Sequence, residues 1–251
     1  MMNAFQILTI FASTVSLSAC GQQPNIASEA KANTLVLAAA PASVATAANP
    51  IIVELYQSQG CSSCPPANAA LNAVADQPGV IALSFAVTYW DRLGWKDIFA
   101  DKAYTQRQYD YAHALGNANV ATPQIIINGR SAITGIKSGE LARTIANTQP
   151  VSKGPTITIA NNKVTVGNGN GVANVWLVRY DPATRNVAIR SGENTGRTLP
   201  HKNIVRALSK LGQWNGTSAS FSLPAAPNDR LKTVILIQRA GAGPIIAAKV
   251  A

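Results

Sequence analysis

Ile51-Ile52-Val53-Glu54-Leu55-Tyr56-Gln57-Ser58-Gln59-Gly60-Cys61-Ser62-Ser63-Cys64-Pro65-Pro66-Ala67 is the stretch on which the reading of this chain turns. Its apolar, β-branched opening predicts a strand over Ile51 to Tyr56. A short loop follows, then two cysteines separated by two residues, then a helix-like segment from Pro65 to Asp76. Pro65 and Pro66 fit a first helical turn, where a missing N–H leaves no hydrogen bond unmade. One turn of helix brings such a pair of thiols within bonding reach, so it can switch between dithiol and disulfide without unfolding anything. Cys61 is expected at the exposed mouth of the helix. There the unpaired N–H groups and the helix dipole favour the thiolate, which is the nucleophile.

The chain of 251 residues holds three cysteines. The third, Cys20, ends Leu17-Ser18-Ala19-Cys20, which resembles a bacterial lipoprotein cleavage box. Phe5 to Ala19 carry no charge and have the length of a signal h-region, although Met1 to Gln6 lack the usual Lys or Arg. Residues 1–19 are therefore read as a lipoprotein-like signal, with lipid on Cys20. Residues 20–49, rich in Ala, Ser, Asn and Gln, are read as a flexible tether. The rival is a later secretory cleavage at Ala45-Thr46-Ala47. Both readings place the protein in the cell envelope, in the periplasm. The first also anchors it to the membrane. In an oxidising compartment a cysteine pair is either structural or catalytic. A loop this short removes little entropy from the unfolded chain, so it is a poor staple, and the pair is read as redox-active.

The remaining pattern over 50–149 is strand, helix, strand, helices, hairpin, helix. Val80 to Val87 is a near-continuous apolar run, as in a covered central strand. Thr88 to Gly116 is aromatic and helical in character. Gln124 to Ile127 and Ser131 to Thr134 flank the turn signal Asn128-Gly129, and Ser138 to Gln149 closes as a helix. This order predicts an α/β, thioredoxin-like domain over 50–149 with a helical insertion. Ala121-Thr122-Pro123 precedes the hairpin at the place where thioredoxin-like proteins carry a cis-proline facing the cysteine pair. Thr122 and Pro123 are thus candidate substrate-binding residues, with the Thr122 backbone offered to an extended peptide. The alternative is a trans proline that merely starts a strand.

Four further segments extend the likeness: Tyr89-Trp90-Asp91, Leu93-Gly94-Trp95-Lys96-Asp97, Thr122-Pro123-Gln124 and Gly192-Glu193-Asn194-Thr195-Gly196-Arg197. With the stretch around the cysteines, they closely resemble the motifs of a secreted, thioredoxin-like bacterial family catalogued as domain of unknown function 1223. The likeness runs from about residue 50 to the C-terminus and implies a fold more than an activity. In thioredoxins a buried acid on the strand before the cysteines helps move the proton of the second one. Glu54 lies in the corresponding strand, and burial would raise its pKa toward the range useful for acid–base work. The other reading is an exposed or ion-paired carboxylate, with Arg130 as a candidate partner. Tyr89 and Trp90 follow the second strand and are candidates to line a substrate groove beside Cys61, or else simple core. His113 and His201 are read as surface or hydrogen-bonded residues.

Charge divides the chain. Residues 1–150 hold 8 Lys+Arg and 8 Asp+Glu, whereas residues 151–251 hold 13 and 3, so the whole net charge of +10 lies in the second part. That step predicts a boundary near Pro150. Beyond it come many short alternating segments: Thr156 to Ala160, Lys163 to Val166, Val172 to Tyr180, Val187 to Arg190, Asn203 to Trp214, Ser218 to Leu223, Leu231 to Gln238 and Pro244 to Val250. They predict a basic, all-β, sandwich-like domain over 150–251. The basic residues are spread rather than clustered, and no recognition helix or stacking motif points to nucleic acid. The Gly192 to Arg197 segment is read as an ordered loop without catalytic residues, and the region as an interface that docks on the first domain or on a partner.

Three functions follow. One is an exported thiol–disulfide oxidoreductase, in which Cys61 attacks, Cys64 resolves, and partners are protein or small-molecule thiols and disulfides. Its only cofactor is its own redox-active disulfide. The second is a copper-handling dithiol module, since soft thiolates suit Cu(I). A closed zinc or iron–sulfur site would need four ligands, so no such metal site is predicted. The third is a non-enzymatic envelope binding protein.

Overall fold

The strand expected at Ile51 forms as β1 (Ile51–Gln57), and every residue of it is buried. The computed structural model describes residues 44–134, 137 and 139–251. The signal over 1–19, Cys20 and most of the tether over 20–49 lie outside the described residues. Both neighbours of β1 come from the first part of the chain. On one side β2 (Val80–Ala86) runs parallel to it; on the other, β3 (Gln124–Ile127) runs antiparallel. β3 turns back into β4 (Ser131–Thr134) through Asn128 and Gly129, both with positive φ. Glycine is required at 129 twice over, because a Cβ there would also come within 2.8 Å of the Gly243 carbonyl. Helix α1 (Pro65–Val74) carries its two prolines at the first helical positions, as expected. Helix α2 (Lys102–Ala114) is N-capped by Asp101, whose side chain accepts from the Ala103 N–H at 2.7 Å. Helix α3 spans Glu140–Ala146.

The second part of the chain does not stand apart, and this corrects the expected fold. There is no thioredoxin-like α/β domain followed by a separate β-sandwich. The molecule is mostly β, with three short helices among the described residues. Strands β7 (Ala173–Asp181), β10 (Ile204–Trp214), β12 (Lys232–Arg239) and β13 (Ile245–Val250) join the first four in one mixed sheet, ordered β13-β12-β7-β10-β2-β1-β3-β4. The joint is narrow. β10 meets β2 in parallel at Ile204 opposite Ser84, where the Ser84 N–H donates to the Asn203 carbonyl at 2.9 Å. The buried Asn203 side chain completes the corner by donating to the Ala82 carbonyl at 2.9 Å. The described residues of Pro41–Ala251 form a single compact unit.

The sheet is covered on both faces. One face collects Ile52 and Tyr56 of β1, Leu83 and Phe85 of β2, Val178 of β7 and Leu236 of β12 under Tyr104 and Tyr111 of α2. On the opposite face, α1 and α3 cover Val53, Leu55, Ile125 and Ile127. Beside them a small sheet, β11-β6-β5, covers Val175, Leu177, Ile235 and Ile237. Its strands are β5 (Ile157–Ala160), β6 (Lys163–Val166) and β11 (Ala219–Ser222). A hairpin of β8 (Arg185–Ala188) and β9 (Thr198–His201) completes the set of strands. Asn72 of α1 donates to the Pro200 carbonyl at 3.2 Å, and Lys202 pairs with Asp76, so this hairpin is moored to α1.

Between β1 and α2 lies a buried charge network. The Arg107 guanidinium donates from Nε to Glu54 Oε1 at 2.9 Å, from Nη1 to Gln238 Oε1 at 3.0 Å and from Nη2 to the Tyr111 hydroxyl at 3.1 Å. Tyr111 in turn donates to the second Glu54 oxygen, and Gln238 Nε2 donates to Tyr111 at 2.9 Å. All four residues are buried. Removing one partner of a buried pair strands the other charge. Arg107→Met is therefore expected to lower the unfolding free energy by about 3–5 kcal/mol in urea titration. The double variant Glu54→Leu/Arg107→Met should recover much of that loss, and strictly additive losses would show that the two charges are not coupled.

Candidate dithiol site

Cys61 and Cys64 are joined in a disulfide, with their Cα atoms 5.4 Å apart. Cys64 is the N-cap of α1, and its carbonyl accepts from the N–H groups of Ala67 and Asn68, each at 3.0 Å. The Cys64 N–H donates back to the Cys61 carbonyl at 3.2 Å. The prolines at the first two helical positions have no N–H, so the helix mouth presents fewer free donors than a bare N-terminus would. Both cysteines are 0% exposed. That corrects the expectation of an exposed, ionised Cys61: the oxidised pair carries no thiolate and is covered. Its neighbours Ser62 and Ser63 are nonetheless exposed, so the pair lies just beneath the surface.

Two loops flank it. On one side the Thr122–Pro123 peptide is cis, and Ser63 Oγ donates to the Thr122 carbonyl at 3.4 Å. Ser63 Oγ is also 3.4 Å from Cys61 Sγ. Trp90 donates from Nε1 to Thr122 Oγ1 at 2.7 Å, and its Cβ sits 3.5 Å from where a Cβ on Gly60 would be. Tyr89 reaches the same loop indirectly. Its hydroxyl donates to Gln108 Oε1 at 3.2 Å, and Gln108 Nε2 donates to the Ala121 carbonyl at 2.8 Å. Thr122, Pro123 and Trp90 are thus brought to the cysteine pair, with Tyr89 behind them.

Glu54 is placed elsewhere. Strand alternation puts it with Ile52 and Tyr56 on the α2 face, while α1 packs on the face of Val53 and Leu55. Its carboxylate is committed to Arg107 and Tyr111. The expected ion-pair alternative holds, with Arg107 in place of Arg130, and the acid–base role is not retained. No three His, Cys, Asp or Glu side chains converge on a point that could hold a metal ion among the described residues.

On the other side the tip of the β8–β9 hairpin, Gly192 to Arg197, is hydrogen-bonded to the cysteine loop. The fully buried Asn194 side chain donates from Nδ2 to the carbonyls of Gln59 at 2.8 Å and Cys61 at 2.9 Å. Glu193 Oε2 accepts from the Ser62 N–H at 3.1 Å and from the Ser62 hydroxyl at 2.7 Å. Those bonds hold the Glu193 pKa below its ordinary value. The sequence reading of this motif is an ordered loop in a region with an interface role and no catalytic part. Its one usable signal was an acid among the three of an otherwise basic hundred residues.

Asp97 braces the approach to Cys61. Its Oδ2 accepts from the Gln59 N–H and its Oδ1 from the Phe99 N–H, both at 2.8 Å. Burial raises its carboxyl to about 6 despite these amides, which favour the charged form. His201 of β9 lies against Phe99, ring centroids 5.9 Å apart, and burial pushes its pKa down to about 4.

A family profile described as "Protein of unknown function (DUF1223)" matches residues 52–238. The chain belongs to the DUF1223 family. It is similar to the crystal structure of protein AGR_C_4864 from Agrobacterium tumefaciens, at 31% identity and a TM-score of 0.65, over 83% of this chain and 95% of that one. It also shares a fold with HBP35 of Porphyromonas gingivalis, at 10% identity and a TM-score of 0.55, over 83% of this chain and 76% of that one. No curated protein is significantly similar to it. The family match takes in all but the first residue of β1, the cysteine pair, the cis peptide and the hairpin tip, and does not reach residues 1–51.

Asp97 and His201 pull stability in opposite directions. The Asp97 pKa is raised, so the folded protein holds that proton longer and loses stability as pH rises from about 4 to 6. The His201 pKa is lowered, so the unfolded chain takes up the proton first. The stability of its neutral form is complete above about 6.5 and is lost as pH falls toward about 4. Relative to His201→Leu, the wild-type protein should therefore gain roughly 3 kcal/mol between pH 4 and pH 7. Parallel stability curves for the two proteins would mean that His201 takes up its proton as readily folded as unfolded.

Proposed function

We propose that this protein is an exported thiol–disulfide oxidoreductase acting on protein or small-molecule thiols and disulfides. The observation that carries the proposal is the Cys61–Cys64 disulfide at the N-cap of α1, beside the cis Thr122–Pro123 peptide. The oxidised pair is one end of the cycle. In the reduced protein the Cys61 thiolate attacks one sulfur of a substrate disulfide; that S–S bond breaks, and the departing thiolate takes up a proton. The Cys64 thiolate then attacks Cys61 Sγ. It releases the other substrate sulfur as a thiol and re-forms the intramolecular disulfide, so two electrons have passed from protein to substrate. Run backwards, the same steps oxidise a substrate dithiol. Ser63 Oγ, near Cys61 Sγ, can donate to the thiolate. The Thr122 backbone, beside Trp90 and with Tyr89 behind it, is the surface for the substrate chain. A lipid on Cys20 would hold this chemistry at the membrane.

Cys64→Ser removes the resolving thiol and leaves the attacking one. Expressed in the envelope, this variant is expected to carry covalent partners released by dithiothreitol, and Cys61→Ser/Cys64→Ser to carry none. In an insulin-reduction assay the double variant should fall to the uncatalysed rate. Equal insulin reduction by wild-type and double variant, with no trapped partner on Cys64→Ser, would remove the exchange reading.

A further inference from the structure

The buried pair is flanked by two loops, and one of them, the hairpin tip, is held to the cysteine loop through few side chains. Gly192 to Arg197 is the tip of a hairpin whose strands are moored elsewhere, on α1. The tip is closed on itself. Ile189 N–H donates to the Arg197 carbonyl at 2.8 Å, Gly196 N–H to the Ile189 carbonyl at 2.9 Å, and Arg197 Nη1 to Asn194 Oδ1 at 2.8 Å. A left-handed glycine stands at Gly192 and at Gly196, each with φ of 80°. Among the described residues its hydrogen bonds to the cysteine loop run through two side chains, Asn194 and Glu193, to residues 59–62, and Ser191, just before it, donates to the Gly94 carbonyl.

We infer that this tip is a displaceable strap, in which Asn194 controls access to Cys61 and Glu193 controls its acidity. The inference rests on the exchange reading above and names what regulates that site. Asn194 ties down the backbone on both sides of Gly60, at Gln59 and Cys61, and while those bonds stand both sulfurs are buried. Glu193 occupies the Ser62 N–H and hydroxyl, the first donors after Cys61. A thiolate formed at Cys61 would meet that carboxylate as a like charge and as a competitor for the same donors. The disulfide carries no charge and meets neither obstacle. The strap therefore favours the closed, oxidised pair, and reduction favours its release. Among the described residues Glu193 is the charged group hydrogen-bonded to Ser62. Asp97 sits behind Gln59, and Arg197 is bound to Asn194.

Asn194→Ala and Glu193→Gln test the two roles with reagents that need no biological partner. Asn194→Ala removes both bonds to the cysteine loop, together with the one from Arg197, and dithiothreitol is expected to reduce its disulfide roughly tenfold faster than that of the wild type. Glu193→Gln keeps an acceptor but loses the charge. The pH midpoint for iodoacetamide alkylation of Cys61, measured in the Cys64→Ser background, should fall by about half a pH unit. Unchanged reduction kinetics in the first variant and an unchanged midpoint in the second would overturn the strap. Glu193 is exposed, so Glu193→Gln decides the matter alone if Asn194→Ala proves unstable. These readouts stand apart from the trapping of partners: the strap can hold where no partner is captured, and partners can be captured where the strap fails.

Discussion

A guanidinium cannot be left unpaired inside a protein, and Arg107 is inside. Its three nitrogens reach β1 through Glu54, its own helix through Tyr111, and β12 through Gln238. Any relative movement of these three elements would break a charge-assisted hydrogen bond in a place water does not enter. The network thus fixes the position of α2 over the sheet and locks a strand from the end of the chain to one from its beginning. A pair of this kind adds little net stability compared with a well-packed apolar cluster. What it supplies is registry: few other arrangements of these strands leave Arg107 and Glu54 satisfied.

That registry is what makes the candidate site possible. Cys61 and Asn194 are 133 residues apart and meet through a side chain–backbone bond of 2.9 Å. They can do so because β10 continues the sheet beside β2, which brings the β8–β9 hairpin down onto α1. Had the second part folded as an independent body, its hairpin tip would have no defined relation to the cysteines. The same continuity sets the turn before β13 against the β3–β4 turn, where the Ile245 N–H donates to the Asn128 carbonyl at 2.9 Å.

Local structure was legible in the residues; long-range pairing was not. The apolar run at Ile51, the two prolines of α1, the Asn128-Gly129 turn and the Thr122–Pro123 peptide each carry their signal within a few positions, and each forms as read. The β2–β10 joint rests on a single aligned pair, Ile204 and Ser84, about 120 residues apart, and nothing near either residue names the other. The charge step at Pro150 pointed the wrong way. Charge reports on the exposed side chains, whereas β7 and β12 enter the shared sheet through buried Val, Ile and Leu. For the candidate site, the nearness of Thr122, Pro123 and Trp90 to the pair Cys61 and Cys64 was legible from spacing and order. For Glu54 both burial and an ion pair were among the readings, but not the right partner, because Arg107 lies 53 residues away on α2. Asn194 was invisible as a site residue, since its role depends on a fold not deducible from its own neighbourhood.

The cover over the cysteines is held by contacts suited to letting go. Burying a Leu or Ile side chain fully stabilises by about 1.5–3 kcal/mol, and exposing it again forfeits that. A hydrogen bond contributes about 1 kcal/mol net, because water takes the place of the lost partner on opening. Between Glu193, Asn194 and the cysteine loop there are four such bonds, and two of them end on the exposed Ser62. The attachment of the tip to the cysteine loop is thus polar and shallow in free energy. Disulfide and dithiol differ in just the property to which such a cover responds. The first is neutral and tolerates burial; the second, once ionised, needs donors that Glu193 is holding. Buried sulfurs and exchange chemistry are therefore compatible here, provided that the barrier between them is polar, local and opposed by the charge that the reaction itself creates.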